Sequence, residues 1–300
     1  MAKTSAVLAG ATGDLGGRIA DQLLKRGADL RMLVRKGSRG EKIDAFQGRG
    51  AEVVEVDFDT VSTLIEGCAG GACVVSALAG LREAIMDAQA LLLDAAVRAG
   101  VPRFIPSDFS IDFTKCEHGH NRNLDLRREF HCLLDQAPLA VTSILNGGFV
   151  DLLTGQAPMI LWKFHRVLYW GNADQLLDFT TIDNTAECTA AAALDPSTPR
   201  FLRIAGDQIS ARGLVEVVSG VTGRRSRLLR GGSLRTLAAL IKVFRRLSPG
   251  ETDLYPPWQG MQYFHDMFSG CAKLDPLDND RYPEIQWTTV REALAEHVSR

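Results

Sequence analysis

Apolar and polar positions follow two alternating rhythms along the first half of the chain. Residues 4–9 (Thr-Ser-Ala-Val-Leu-Ala) form a short apolar run ending at glycine, as a strand buried on both faces does. Over 15–27, Leu15, Ile19, Leu23 and Leu24 share one helical face, and Gly27 supplies a stop. Strand-like runs follow at 30–34, 52–56, 72–78 and 103–106, with helix-like runs at about 60–67 and 82–99 between them. This strand–helix order predicts crossover units: an α/β fold with a parallel sheet and helices on both faces.

The second half is less regular. Residues 123–136 read as a helix, 139–145 (Leu-Ala-Val-Thr-Ser-Ile-Leu) as a buried strand, and the alanine-rich stretch 183–195 as another helix. Two more helices are expected at 208–222 and 233–247. No composition break divides the chain. The expected boundary is a loose one near 150, giving a 1–150 domain and a 151–300 lobe interleaved with it.

The 300 residues, 46% of them hydrophobic, suffice for one large core or a core with a smaller lobe. A net charge of -2 points to neither a nucleic-acid partner nor a membrane held by charge. Residues 223–246 carry eight arginines and lysines and no acid; they suit an anionic partner or membrane surface, but the preferred reading is a basic amphipathic helix whose charges face water, balanced by acids elsewhere. The cysteines at 68, 73, 116, 132, 188 and 271 form no Cys-x-x-Cys pair and read as reduced thiols. With no signal peptide and no bilayer-length apolar run, the expected compartment is the cytoplasm.

Glycines 10, 13 and 16 lie between the first strand and the first helix. Backbone must turn sharply there and approach a pyrophosphate, and the helix then offers free N–H groups and its positive dipole end. That setting marks a Rossmann-type doubly wound sheet. NAD-binding forms place a carboxylate at the end of the second strand, whereas this strand ends Leu33-Val34-Arg35-Lys36, with Ser38 and Arg39 behind it. Arg35 and Arg39 suit a 2′-phosphate, so NADP(H) is the expected cofactor. The ends of the third and fourth strands are either cofactor contacts or plain loop residues: as contacts, Asp57 and Phe58, ending the third strand, flank the adenine. Ala77 and Leu78, ending the fourth, are placed where pyrophosphate and nicotinamide ribose pass.

Gly10-Ala11-Thr12-Gly13-Asp14-Leu15-Gly16, Leu33-Val34-Arg35, Val74-Val75-Ser76-Ala77 and Arg103-Phe104-Ile105-Pro106-Ser107-Asp108-Phe109 resemble the NmrA-like branch of atypical short-chain dehydrogenases. Within it the chain is most similar to the isoflavone reductase and phenylcoumaran benzylic ether reductase group, through Leu126-Arg127-Arg128-Glu129, the 180–186 stretch and Ile285-Gln286-Trp287-Thr288-Thr289-Val290. The resemblance implies a smaller C-terminal substrate lobe, NADPH, and hydride delivery to an aromatic small molecule. It implies that Gly10, Thr12, Gly13, Asp14, Leu15 and Gly16 hold the pyrophosphate, that Ser107 and Phe109 approach the nicotinamide, and that Asn146 and Gly147 line the pocket.

The chain departs from that pattern at one position. The group carries a lysine four residues before the first arginine of the Arg-Arg pair, and here that residue is Asn123. Asparagine orients a carbonyl or a water but is no general acid. Tyr-x-x-x-Lys is absent as well. The loop 113–120 offers substitutes: His120 first, because histidine titrates near neutrality, and Lys115 second. Cys116, His118 and His120 alternate, but zinc wants four ligands at other spacings, so no metal is expected. The aromatic stretch Trp162, Phe164, His165, Tyr169, Trp170 fits a flat substrate or a lobe core equally well.

Together these readings give an NADPH-dependent reductase of an aromatic, quinone-like or enone small molecule in secondary metabolism, compatible with a homodimer. The alternatives are a non-catalytic NADP(H)-sensing regulator and a cofactor-dependent enzyme of altered chemistry.

Overall fold

The computed structural model describes residues 4–299. The chain divides into two compact units, each built from three stretches. Unit 1 holds residues 4–109, Leu126–Ile144 and Thr185–Leu202; unit 2 holds Ser110–Asp125, Leu145–Asn184 and 203–299.

Unit 1 is built on a six-stranded sheet in the order β3-β2-β1-β4-β5-β6. Its strands are β1 (Ser5–Ala9), β2 (Asp29–Arg35), β3 (Glu52–Val56), β4 (Cys73–Ser76), β5 (Arg103–Ile105) and β6 (Ala140–Val141), and every neighbouring pair is parallel. The crossovers are α1 (Asp14–Lys25), α2 (Glu41–Gly48), α3 (Val61–Cys68) and α4 (Gln89–Arg98), followed along the chain by α5 (Arg122–Leu134). α1 forms because its apolar residues recur at helical spacing. Ile19, Ala20 and Leu23 are buried, and Gly27 at φ +75 ends the element where a side chain would be strained. The core closes around Val7, Leu33, Leu64, Val74, Leu92, Phe104 and Phe130.

A single helix over 82–99 is replaced by a π-helical turn, Glu83–Ala88, that runs into α4. The strand expected at 139–145 is split: β6 ends at Val141 and β7 (Ser143–Leu145) starts after Thr142.

In unit 2, β8 (Gly148–Phe149), β11 (Leu176–Thr180) and β13 (Asp207–Ser210) form one sheet. β9 (Ile160–Leu161), β10 (Arg166–Trp170) and β14 (Arg227–Gly232) form a second. β12 (Phe201–Arg203) pairs with β7 in a separate ladder. α6 (Ile182–Leu194) lies in unit 1 from Thr185 onward, and the helices of unit 2 are α7 (Ala211–Thr222), α8 (Leu234–Leu247), α9 (Pro257–Ser269) and α10 (Val290–Ser299). The helix expected over 208–222 begins only at Ala211. Residues 207–210 pair with β11, and the Ser210 hydroxyl accepts from the Gly213 N–H at 3.2 Å, which fixes the helix start. No helix among the described residues is long and apolar enough to cross a membrane.

Candidate cofactor and active site

The glycine loop needs glycine for steric reasons. Gly10 sits at φ +92, and a Cβ there would stand 2.5 Å from the Ala77 carbonyl oxygen. A Cβ on Gly16 would overlap the Gly10 carbonyl oxygen. Behind the loop, Gly13 is the N-cap of α1 and no side chain caps it. The N–H groups of a first helical turn lack intrahelical acceptors, so this end presents bare donors and a positive dipole. A pyrophosphate fits such a cradle.

Beside the loop the structure adds a cation that the sequence did not single out. Lys42, at the start of α2, donates from Nζ to the carbonyls of Gly13 at 2.7 Å and Thr12 at 3.1 Å. Arg35 ends β2 and is exposed. Arg39 is ion-paired with Glu55, whose carboxylate also accepts from the Gly37 N–H at 3.2 Å. The Arg39 hydrogen bond, then the Gly37 N–H, hold Glu55 below the usual carboxylate range. A carboxylate therefore does stand beside this turn, delivered by β3; reading along β2 alone missed it.

Asp57 is occupied locally. Its carboxylate accepts from the Asp59 N–H at 3.0 Å and the Thr60 hydroxyl at 2.9 Å, which lowers its pKa in that order of effect. Phe58 and Leu78 pack half-buried against the unit 1 core. The Ala77 N–H donates to the Ala9 carbonyl at 2.8 Å. Ser107 joins two strand ends: its hydroxyl donates to the Leu78 carbonyl at 2.7 Å and its N–H to Gln89 Oε1 at 2.8 Å. Phe109 is buried. Next to it, buried Asp108 lies 2.7 Å from His131 Nε2. Burial works against its charge, but the charge of His131 and its hydrogen bond outweigh that and hold the acid below its ordinary range.

The remaining expected residues lie in unit 2. Gly147, at φ +69, has no room for a Cβ against the Asp178 carbonyl. Asn146 is fully buried, and neither its side-chain oxygen nor its side-chain nitrogen has a hydrogen-bond partner among the described residues. Buried amides are rarely left so.

The loop over 113–121 is held firmly. Asp112 caps its first turn through the Thr114 N–H at 3.1 Å and pairs with Arg203 Nε at 2.8 Å. Lys115 donates to the carbonyls of Lys273 and Asp275, each at 3.0 Å. His120 is half-exposed, 3.4 Å from Glu117, and its ring meets His265 of α9 edge-on at 6.4 Å. His118 pairs instead with Asp125 at 3.6 Å. Asn123 is buried: its oxygen accepts from Arg122 Nε at 3.1 Å and its nitrogen donates to the Leu254 carbonyl at 3.0 Å. His265 escaped the sequence reading because α9 did.

Two expectations change. Cys116 and Cys271 form a disulfide, so these cysteines are not reduced thiols. Nothing in their spacing of 155 residues signals the pair. Burial does push the Cys68 and Cys73 thiols up to about 12. The cysteine cluster that forms is Cys116, Asp266 and Cys271, without His118 or His120, and both sulfurs are spent on each other. The aromatic stretch does not form one surface: Trp170 is buried against Gly231, Trp162 donates to the Leu153 carbonyl, and Phe164 is exposed.

The sequence model of the NmrA-like family matches residues 2–248. The chain belongs to the NmrA-like family. Pinoresinol reductase 1 of Arabidopsis thaliana is 24% identical over 314 residues, covering 97% of this chain and 96% of that protein. Among solved structures, "AtPrR2 with NADP+ and (+)pinoresinol" superposes with a TM-score of 0.82 at 22% identity, covering 99% of both chains. An isoflavone reductase superposes with a TM-score of 0.82 at 19% identity, covering 98% of this chain and 99% of that one. These likenesses share the Rossmann-type fold expected from the glycine loop.

Proposed function

We propose that this NmrA-like protein is an NADPH-dependent reductase of an aromatic, quinone-like or enone small molecule, working in secondary metabolism. The observation that carries the reading is the Gly10–Gly16 cradle, with no room for a Cβ at Gly10 or Gly16 and backed by an uncapped helix end. The names of the relatives, pinoresinol and isoflavone reductases, agree with it. When bound, the dinucleotide supplies the hydride.

The rest of the task falls to the chain's own groups. The first-turn N–H groups of α1 hold the pyrophosphate. Arg35 and Lys42 take the 2′-phosphate, and Arg39 joins them by giving up Glu55. The unpartnered Asn146 amide binds a polar group of cofactor or substrate, which removes the cost of its burial. His120 delivers the proton from its ring, with Glu117 and His265 beside it to share the charge. Lys115 is the second donor, weaker because two carbonyls hold its ammonium.

Asn123 favours the alternative of an NADP(H)-sensing regulator, since its amide is consumed by Arg122 and Leu254 and no acid stands at that position. One titration separates the two. NADPH and NADH affinities are measured, then loss of nicotinamide absorbance is followed with a panel of quinones and aromatic enones. Selective NADPH binding with turnover that falls in His120→Ala supports the reductase. Selective binding with no turnover supports the regulator, and equal affinity for both nucleotides removes the role given to Arg35 and Arg39.

A further inference from the structure

The charges of the basic stretch 223–246 face water, as expected, but among the described residues no carboxylate balances them. Its eight cations, Arg224, Arg225, Arg227, Arg230, Arg235, Lys242, Arg245 and Arg246, are all exposed. Among the described residues none of them is ion-paired with a carboxylate. The segment runs through β14 and α8, and of α8 only Leu237 is buried.

The exposed side of α8 has two stripes. Arg235, Lys242 and Arg246, spaced by seven and four, line one. Val243, Phe244 and Leu247 line the other, 50%, 38% and 78% exposed. An apolar stripe of this kind in water, flanked by unpaired cations, calls for a partner with both hydrocarbon and negative charge. Arg245 is excepted, since its guanidinium lies 5.1 Å from the Trp258 ring centre and serves the fold.

We infer that the β14–α8 segment is a docking face for an anionic lipid bilayer. The helix lies flat, with Val243, Phe244 and Leu247 in the acyl boundary and Arg235, Lys242 and Arg246 among the headgroups. A second copy of the same face is a poor occupant, because it would set eight unpaired cations against eight more. A nucleic acid offers phosphate but no hydrocarbon for Leu247. With its 14 residues, the helix is about 21 Å long, enough to rest on a surface and too short to cross one. The inference replaces the expectation of a merely solvated basic helix and does not depend on the proposed reductase activity.

The test is co-sedimentation of the full chain with vesicles of phosphatidylcholine alone and with about a third phosphatidylglycerol. The expected result is at least about tenfold stronger partition onto the anionic vesicles, lost at high salt. Val243→Ser with Leu247→Ser is expected to weaken it about tenfold with all charges kept. Arg235→Glu with Lys242→Glu and Arg246→Glu is expected to abolish it. These positions are exposed, and an unchanged thermal unfolding midpoint checks that each variant is folded. Absence of binding, or equal binding to both vesicles, overturns the inference. So does full vesicle binding by the double serine variant, which would make the face a site for soluble polyanions or an acidic protein.

Discussion

Breaking the Cys116–Cys271 disulfide offers the sharpest test of how unit 2 is held together. Both cysteines lie in unit 2, 155 residues apart, and the intervening chain includes two stretches of unit 1. In the chain-entropy account a cross-link closing a loop that long restricts the unfolded chain by about 5 kcal/mol, and measured effects usually run from about 2 kcal/mol upward. At about 2 °C per kcal/mol for a large cooperative chain, reduction is expected to lower the unfolding midpoint by about 4–10 °C. Thermal unfolding of the wild type with and without a phosphine reductant gives the shift. Cys116→Ser supplies the control: it should melt at the reduced midpoint and ignore the reductant. Intact mass should show the oxidised wild type lighter by two hydrogens. Equal midpoints for oxidised and reduced wild type, with the mass difference confirmed, would refute the loop-closure reasoning. A reductant effect that persists in Cys116→Ser would place the sensitive thiol elsewhere.

Three other outcomes follow from the geometry. Asp108 is held below the ordinary carboxylate range, so its stabilisation is present above about pH 4 and fades as pH falls through its lower folded value. Asp108→Asn should cost about 3 kcal/mol near neutral pH, with the gap to wild type narrowing below about pH 4 in urea titrations; a constant gap would contradict the assignment. Asn123→Lys, which installs the lysine of the related reductases, should not raise turnover. It sets an ammonium beside Arg122 and removes the oxygen that accepts from Arg122 Nε, costing about 2–4 kcal/mol by urea unfolding. Gly16→Ala should weaken NADPH binding by about tenfold or more, about 1.4 kcal/mol, because its Cβ meets the Gly10 carbonyl; titration showing wild-type affinity would mean the loop yields freely.

The first half of the fold was legible because β1 and β2 are apolar runs buried on both faces and α1 buries Ile19, Ala20 and Leu23 at helical spacing. α9 was not, and its packing shows why. Gln259, Gln262 and Asp266 are buried and bond to Asn121 and the Arg122 N–H, so polar residues share the inward face with Trp258, Met267 and Phe268. A rule that seeks apolar faces passes over such a helix. The glycine cradle was readable because its constraint is local, lying within seven residues and one strand end. Glu55 beside Arg39, Lys42 beside Gly13 and Cys271 beside Cys116 are meetings of distant residues, with no trace in local spacing.

The interleaving of the two units bears on how this protein can be altered, by experiment or by descent. The chain passes from one unit to the other five times. A single crossover at residue 150 with a relative would therefore join mismatched pieces in both units, since unit 1 still awaits Thr185–Leu202 and unit 2 already includes Ser110–Asp125. Unit 2 cannot be grafted as one cassette; three separate inserts would have to match at once. New specificities in such an architecture should arise by substitutions at fixed positions, and libraries built by shuffling should return few folded members.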